Sequence, residues 1–142
     1  MVIDRDKLSS QLTLLDKYSS RLQGKKNVSQ DCFLADPDLQ AVVERNFQLA
    51  IECCLNIGTH LIAGIPLDPA EDYGSVFVRL AEAGILPKDF GEKLTEMARF
   101  RNLLVHVYWK IDPTKVYARL QENLDDFKIF AQHIVKFLET QK

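Results

Sequence analysis

Apolar residues recur along this chain at intervals of three and four, and the pattern breaks only at a few capping and turn residues. Leu8, Leu12, Leu15 and Leu22 keep helical spacing behind Asp4, whose carboxylate suits the free N–H groups of a helix start, and Gly24 ends the run. Lys25 to Ala35 reads as a connector with room for one short turn from Ser29. Asp36-Pro37 opens a long helix through Val43, Phe47, Ala50, Ile51, Cys54 and Leu61 that stops near Gly64-Ile65-Pro66. Pro66 to Gly74 reads as a loop, and a short helix from about Ser75 to Ala83 ends at Gly84.

After Pro87 a fourth helix carries Phe90, Leu94, Met97 and Leu104. Its end is predicted between Tyr108 and Ile111, because Pro113 disfavours helical geometry at Asp112. Asp112-Pro113 repeats the cap-and-proline device and opens a last long helix through Val116, Leu120, Leu124, Phe127, Ile134 and Phe137. No alternating β pattern, repeat or low-complexity tract interrupts this. The expected architecture is an all-α, antiparallel bundle of four to five helices, a single domain over residues 1–142.

Charge narrows the function. A net charge of −2 over 142 residues argues against a general nucleic-acid coat, so any RNA contact must be local. No run reaches the ~20 apolar residues a membrane span needs, and Met1 to Lys7 lacks the apolar segment of a signal peptide. A cytoplasmic protein without membrane contact is expected. Cys32, Cys53 and Cys54 have no metal spacing and read as reduced, mostly buried thiols. His60 and His133 lie on other helices than His106 without ligand-like partners, so no metal and no cofactor is expected.

One segment departs from this plain background. Between Met97 and Ile111 there is no carboxylate, yet the stretch holds Arg99, Arg101, Asn102, His106, Tyr108 and Lys110. Arginine offers a planar fork of donors for phosphate oxygens, and histidine moves a proton near neutral pH. On an ideal helix Asn102 and His106 share a face, as do Arg101 and Tyr108, but Arg101 and His106 stand about 140° apart. Either the helix frays and swings His106 round, or a twofold copy of the chain supplies the missing group. A homodimer with facing motif helices is the favoured solution.

Arg101-Asn102, then His106, Val107 and Tyr108, resembles the R-x4-H-x-Y motif of the HEPN superfamily, and more narrowly its HepT-like group. Glu44-Arg45 with Ala50-Ile51-Glu52, and Leu80 to Ile85 before the motif helix, are similar to the same group. The resemblance implies the toxin of a toxin–antitoxin pair, a metal-independent endoribonuclease acting as a dimer. It also implies an MntA-type nucleotidyltransferase antitoxin that adds AMP to Tyr108.

The chemistry offers its own rationale. RNA carries its nucleophile, the 2′-OH, so cleavage needs a proton shuttle and charge neutralisation at the phosphorus. His106 fits the first task and Arg101 the second. Asn102 would orient His106 or a phosphate oxygen, and Tyr108 would donate a hydrogen bond.

Other readings stay open at this level. Asn102 also reads as a solvated helix position, and Tyr108 as a bundle aromatic. Trp109 reads as a core or dimer-interface aromatic, or as a base-stacking one. Arg45 and Glu52, seven apart on one helix face, read as an ion pair supporting the bundle, or as a polar wall of the active cleft. Asp68 to Asp72 reads as a solvated acidic loop. A different functional class also fits these helices: a non-catalytic subunit that binds nucleotide or substrate beside a nucleotidyltransferase.

Overall fold

The computed structural model describes residues 3–64 and 73–141, and every regular element among them is helical. The elements are α1 (Arg5–Gln23), α2 (Gln30–Leu34), α3 (Pro37–Ala63), α4 (Tyr73–Glu82), α5 (Lys88–His106), a 3₁₀ turn (Tyr108–Lys110), α6 (Pro113–Glu122) and α7 (Leu124–Thr140). Most of the Pro66 to Gly74 loop, including Asp68 to Asp72, lies outside the described residues.

The capping residues act as their chemistry dictates. Asp4, Asp36 and Asp112 accept from the N–H groups of Lys7, Leu39 and Thr114 at 3.0, 3.1 and 3.0 Å. Ser29 caps α2 through Cys32 at 3.2 Å, so the connector does contain its short helix. That segment is held by α6: Tyr117 Oη donates to the Val28 carbonyl at 2.7 Å, and Gln121 Nε2 to that of Lys26 at 2.7 Å. Gly84, at φ +79°, supplies the left-handed residue that ends the α4 segment.

α3 is the central helix. Its buried residues, from Val43 through Phe47, Cys54 and Gly58 to Ile62, spread around its circumference, and it touches every other α-helix. Phe47 packs edge-on against Phe100 of α5 and tilted against Phe127 of α7, with ring centroids 5.5 and 6.2 Å apart. At Gly58 a Cβ would stand 2.5 Å from Val76 Cγ1, so α4 approaches α3 only because no side chain is there. No helix among the described residues is long and apolar enough to cross a membrane.

Two helix boundaries differ from those the sequence predicts. The last helix is two, α6 and α7, because Asn123 (φ −115°, ψ 2°) leaves helical geometry and its amide donates to Asp126 at 3.2 Å. Asp126 is buried and also pairs with Lys93 of α5 at 3.0 Å, so the break serves a polar tie to the motif helix. The second difference is that α5 stops at His106, before Tyr108. The β-branched Val107 turns away at φ −132°, ψ 40°, and its carbonyl accepts from Lys110.

The thiols are mostly buried, as expected: Cys53 and Cys54 lie inside and Cys32 is exposed. Burial, with Glu52 nearby, pushes the Cys53 thiol up to about 11, and burial raises Cys54 well above its ordinary range. A thiol-reactive dye near neutral pH is therefore expected to label Cys32 alone in the folded protein, and all three on unfolding. Fast labelling of Cys53 or Cys54 without denaturant would contradict this packing.

Candidate active site

Arg101 sits on the side of α5 that faces α3, with its side chain only 12% exposed. Its Nη2 donates to Glu52 Oε1 at 3.0 Å, and its Nη1 to Asn102 Oδ1 at 3.2 Å. The same Glu52 oxygen accepts from Gln48 Nε2 at 3.2 Å. The guanidinium is thus gripped from two helices, which fixes the plane of its fork.

This corrects the expected Arg45–Glu52 pair. Seven residues share a helix face but stand two turns, about 10.5 Å, apart along the axis. Arg45 is exposed, and Glu52 serves Arg101 instead. Asn102 likewise accepts from Arg101, so its side chain orients the arginine rather than His106.

His106 is the last residue of α5 and is exposed. Because α5 is helical from Arg101 through His106, the angular gap of about 140° stands, and fraying does not close it. The other histidines have structural work. His60 Nε2 accepts from the Asp4 backbone N–H at 3.0 Å, and His133 lies against the Phe90 ring at 5.6 Å.

Tyr108 and Trp109 lie on the 3₁₀ turn, 68% and 69% exposed, with their rings edge-to-face at 5.4 Å. Neither is a core aromatic of this chain. With α5 ending at His106, Tyr108 has left the helix, and the seven-residue face it would have shared with Arg101 does not exist. The structure therefore brings Arg101, Asn102 and Glu52 together, and sets His106, Tyr108 and Trp109 at the adjoining helix end. Among the described residues no three His, Cys, Asp or Glu side chains converge as a metal cage.

A helical chain with an arginine clamped at one face of α5 and an open histidine at its end has known relatives. Residues 9–134 match the Ribonuclease HepT-like family. The chain belongs to that family, a class of RNA-cleaving enzyme.

It is 25% identical over 133 residues to the tRNA nuclease HepT of Aphanizomenon flos-aquae, covering 94% of this chain and 90% of that protein. It is 29% identical over 98 residues to the mRNA nuclease HepT of Shewanella oneidensis, covering 69% and 74%. Among solved structures it resembles a tri-AMPylated Shewanella oneidensis HEPN toxin in complex with its MNT antitoxin. The TM-score there is 0.84 at 24% identity, over 92% of this chain and 98% of that one. The YutE protein of Bacillus subtilis, described as cytosolic, has the same fold, with TM-score 0.84 at 21% identity over 98% and 93%.

Proposed function

We propose that this protein is the toxin of a toxin–antitoxin pair, an endoribonuclease that cuts RNA without a metal ion through Arg101 and His106. The observation that carries the reading is the arginine clamp. Glu52 and Asn102 hold the guanidinium and so fix the plane of its N–H fork, beside a helix end where His106 meets solvent.

In the proposed reaction His106 accepts the proton of a ribose 2′-OH as that oxygen attacks phosphorus. Arg101 neutralises the non-bridging oxygens, and a second histidine protonates the departing 5′-oxygen. One chain contributes one motif histidine, and its Arg101 and His106 point about 140° apart on ideal geometry. A homodimer with the motif helices facing supplies both missing groups, which supports the dimer.

Purified protein is expected to cleave RNA in excess EDTA and to leave 2′,3′-cyclic phosphate and 5′-hydroxyl ends. Activity lost in EDTA and restored by magnesium would overturn this mechanism. A protein that cuts no RNA in any condition would favour the other reading, a non-catalytic nucleotide-binding subunit partnered with a nucleotidyltransferase.

The proposed partner is an MntA-type nucleotidyltransferase antitoxin that transfers AMP to Tyr108. Two observations support it: the phenol is two-thirds exposed on a turn, and the similar Shewanella toxin is tri-AMPylated and bound to an MNT antitoxin. The Tyr108 oxygen would attack the α-phosphorus of ATP, losing its proton to solvent and releasing pyrophosphate. The resulting phosphodiester anion and adenosine, two residues from His106, would repel and exclude an RNA phosphate. Co-expression with such a partner is expected to add AMP mass to the Tyr108 peptide and to silence cleavage. Neutralisation with that peptide unmodified would leave steric binding as the mechanism.

A further inference from the structure

α5 presents a second face toward the end that carries His106. With about 100° between successive residues, Arg99, Leu103 and His106 fall within about 60° of one another, while Arg101 points to the opposite side. Next to this face, where α5 meets the start of α6, lies a cavity of about 310 Å³.

The floor of the cavity is apolar: Phe100 and Val116 are buried, and Leu103 and Ile111 are half-buried. Its rim is cationic. Arg99 and Lys115 are exposed, and half-buried Arg119 lays its guanidinium over the Phe100 ring at 5.2 Å. Two carboxylates also line it, so the three cations leave the rim a single net positive charge. Glu96 pairs with Arg99, and Asp112 caps α6 through Thr114. Among the described residues no salt bridge engages Lys115 or Arg119.

The cavity adjoins the proposed chemistry. Leu103 is three residues, about 4.5 Å along the axis, before His106, and Ile111 is where the chain returns after the Tyr108–Trp109 turn. An apolar floor under a cationic rim matches a nucleotide, whose base or ribose covers carbon and whose phosphate takes the cations.

We propose that this cavity is an RNA subsite holding a nucleotide that flanks the scissile bond, with its phosphate on Lys115 and Arg119. The assignment rests on the ribonuclease reading and extends it. The enzyme engages RNA beyond the cleaved phosphate, and a longer strand is its better substrate.

Lys115→Glu and Arg119→Gln, made separately, test this on two RNAs, a dinucleotide and an oligonucleotide long enough to cross the cavity. Lys115 is exposed in the first turn of α6, where a glutamate suits the helix, so the first variant keeps the fold even if the second does not. The wild-type preference in kcat/KM for the longer RNA is expected to shrink about tenfold in Lys115→Glu. Its salt dependence should fall by about 0.7 in log–log slope for the lost phosphate contact. An unchanged preference and slope, or a proportional loss on both RNAs, refutes the subsite while leaving the nuclease intact. Wild-type protein that cuts neither RNA refutes the ribonuclease reading, and the subsite with it.

Discussion

Arg101→Ala and His106→Ala are each expected to lower RNA cleavage by about 10²-fold or more and to abolish growth inhibition, with the fold retained. Removing a general acid or base, or a donor that meets developing charge, costs about 10²–10⁴ in rate. His106 is exposed, so its loss should move stability by no more than about 0.5 kcal/mol.

Arg101 differs, because its removal leaves Glu52 without its cation. Glu52 is 27% exposed, and water reaches it, so the cost falls below the 3–5 kcal/mol typical of a broken buried pair. Adding Glu52→Gln to Arg101→Ala should restore melting temperature without restoring cleavage, which separates the charge from the scaffold. Glu52→Ala alone should lower kcat by loosening the guanidinium, and Glu52→Asp should recover part of it. Mixed Arg101→Ala and His106→Ala chains should regain a fraction of activity if each cleft draws on both protomers. Arg101→Ala protein that retains half of the wild-type rate would remove the arginine from the mechanism.

Local chemistry made much of this fold readable. The cap-and-proline pairs at Asp36-Pro37 and Asp112-Pro113 start helices where short-range hydrogen bonding demands it, and Gly84 stops one where a positive φ is required. Apolar spacing also marks α3 as a helix without showing that it is central; that depends on what packs on its several faces. The break at Asn123 was invisible for the same reason. Apolar periodicity runs through Leu120, Leu124 and Phe127, and the residue that bends the chain does so for a buried Asp126 that pairs with Lys93 of α5.

The site divides likewise. The residue types between Arg101 and Tyr108 were legible as chemistry, but the partner of Arg101 lies 49 positions away. A carboxylate placed between Ile51 and Cys53 on a helix buried nearly all round was its available signal. Periodicity placed Glu52 on Arg45's face, and only the packing of α5 on α3 shows which arginine it meets.

Phe47→Ala is expected to produce the largest loss of stability, about 3–5 kcal/mol, through a cavity that no neighbour can fill. Phe47 is fully buried and joins three helices, touching Phe100 of α5 and Phe127 of α7. Against the 5–15 kcal/mol typical of a domain, such a change lowers the melting temperature by about 10 °C or more. Its effect on catalysis should follow temperature. Phe100 precedes Arg101, so a loosened contact lets α5 shift on α3 and weakens the Glu52 clamp as the protein approaches its melting range. Well below that range, cleavage should return toward the wild-type rate, because Phe47 carries no charge, donor or acceptor to the reaction. Arg101→Ala should behave differently, staying inactive even far below its own melting range, because the lost group belongs to the reaction itself. A Phe47→Ala protein with unchanged melting would show that α3, α5 and α7 do not share this junction.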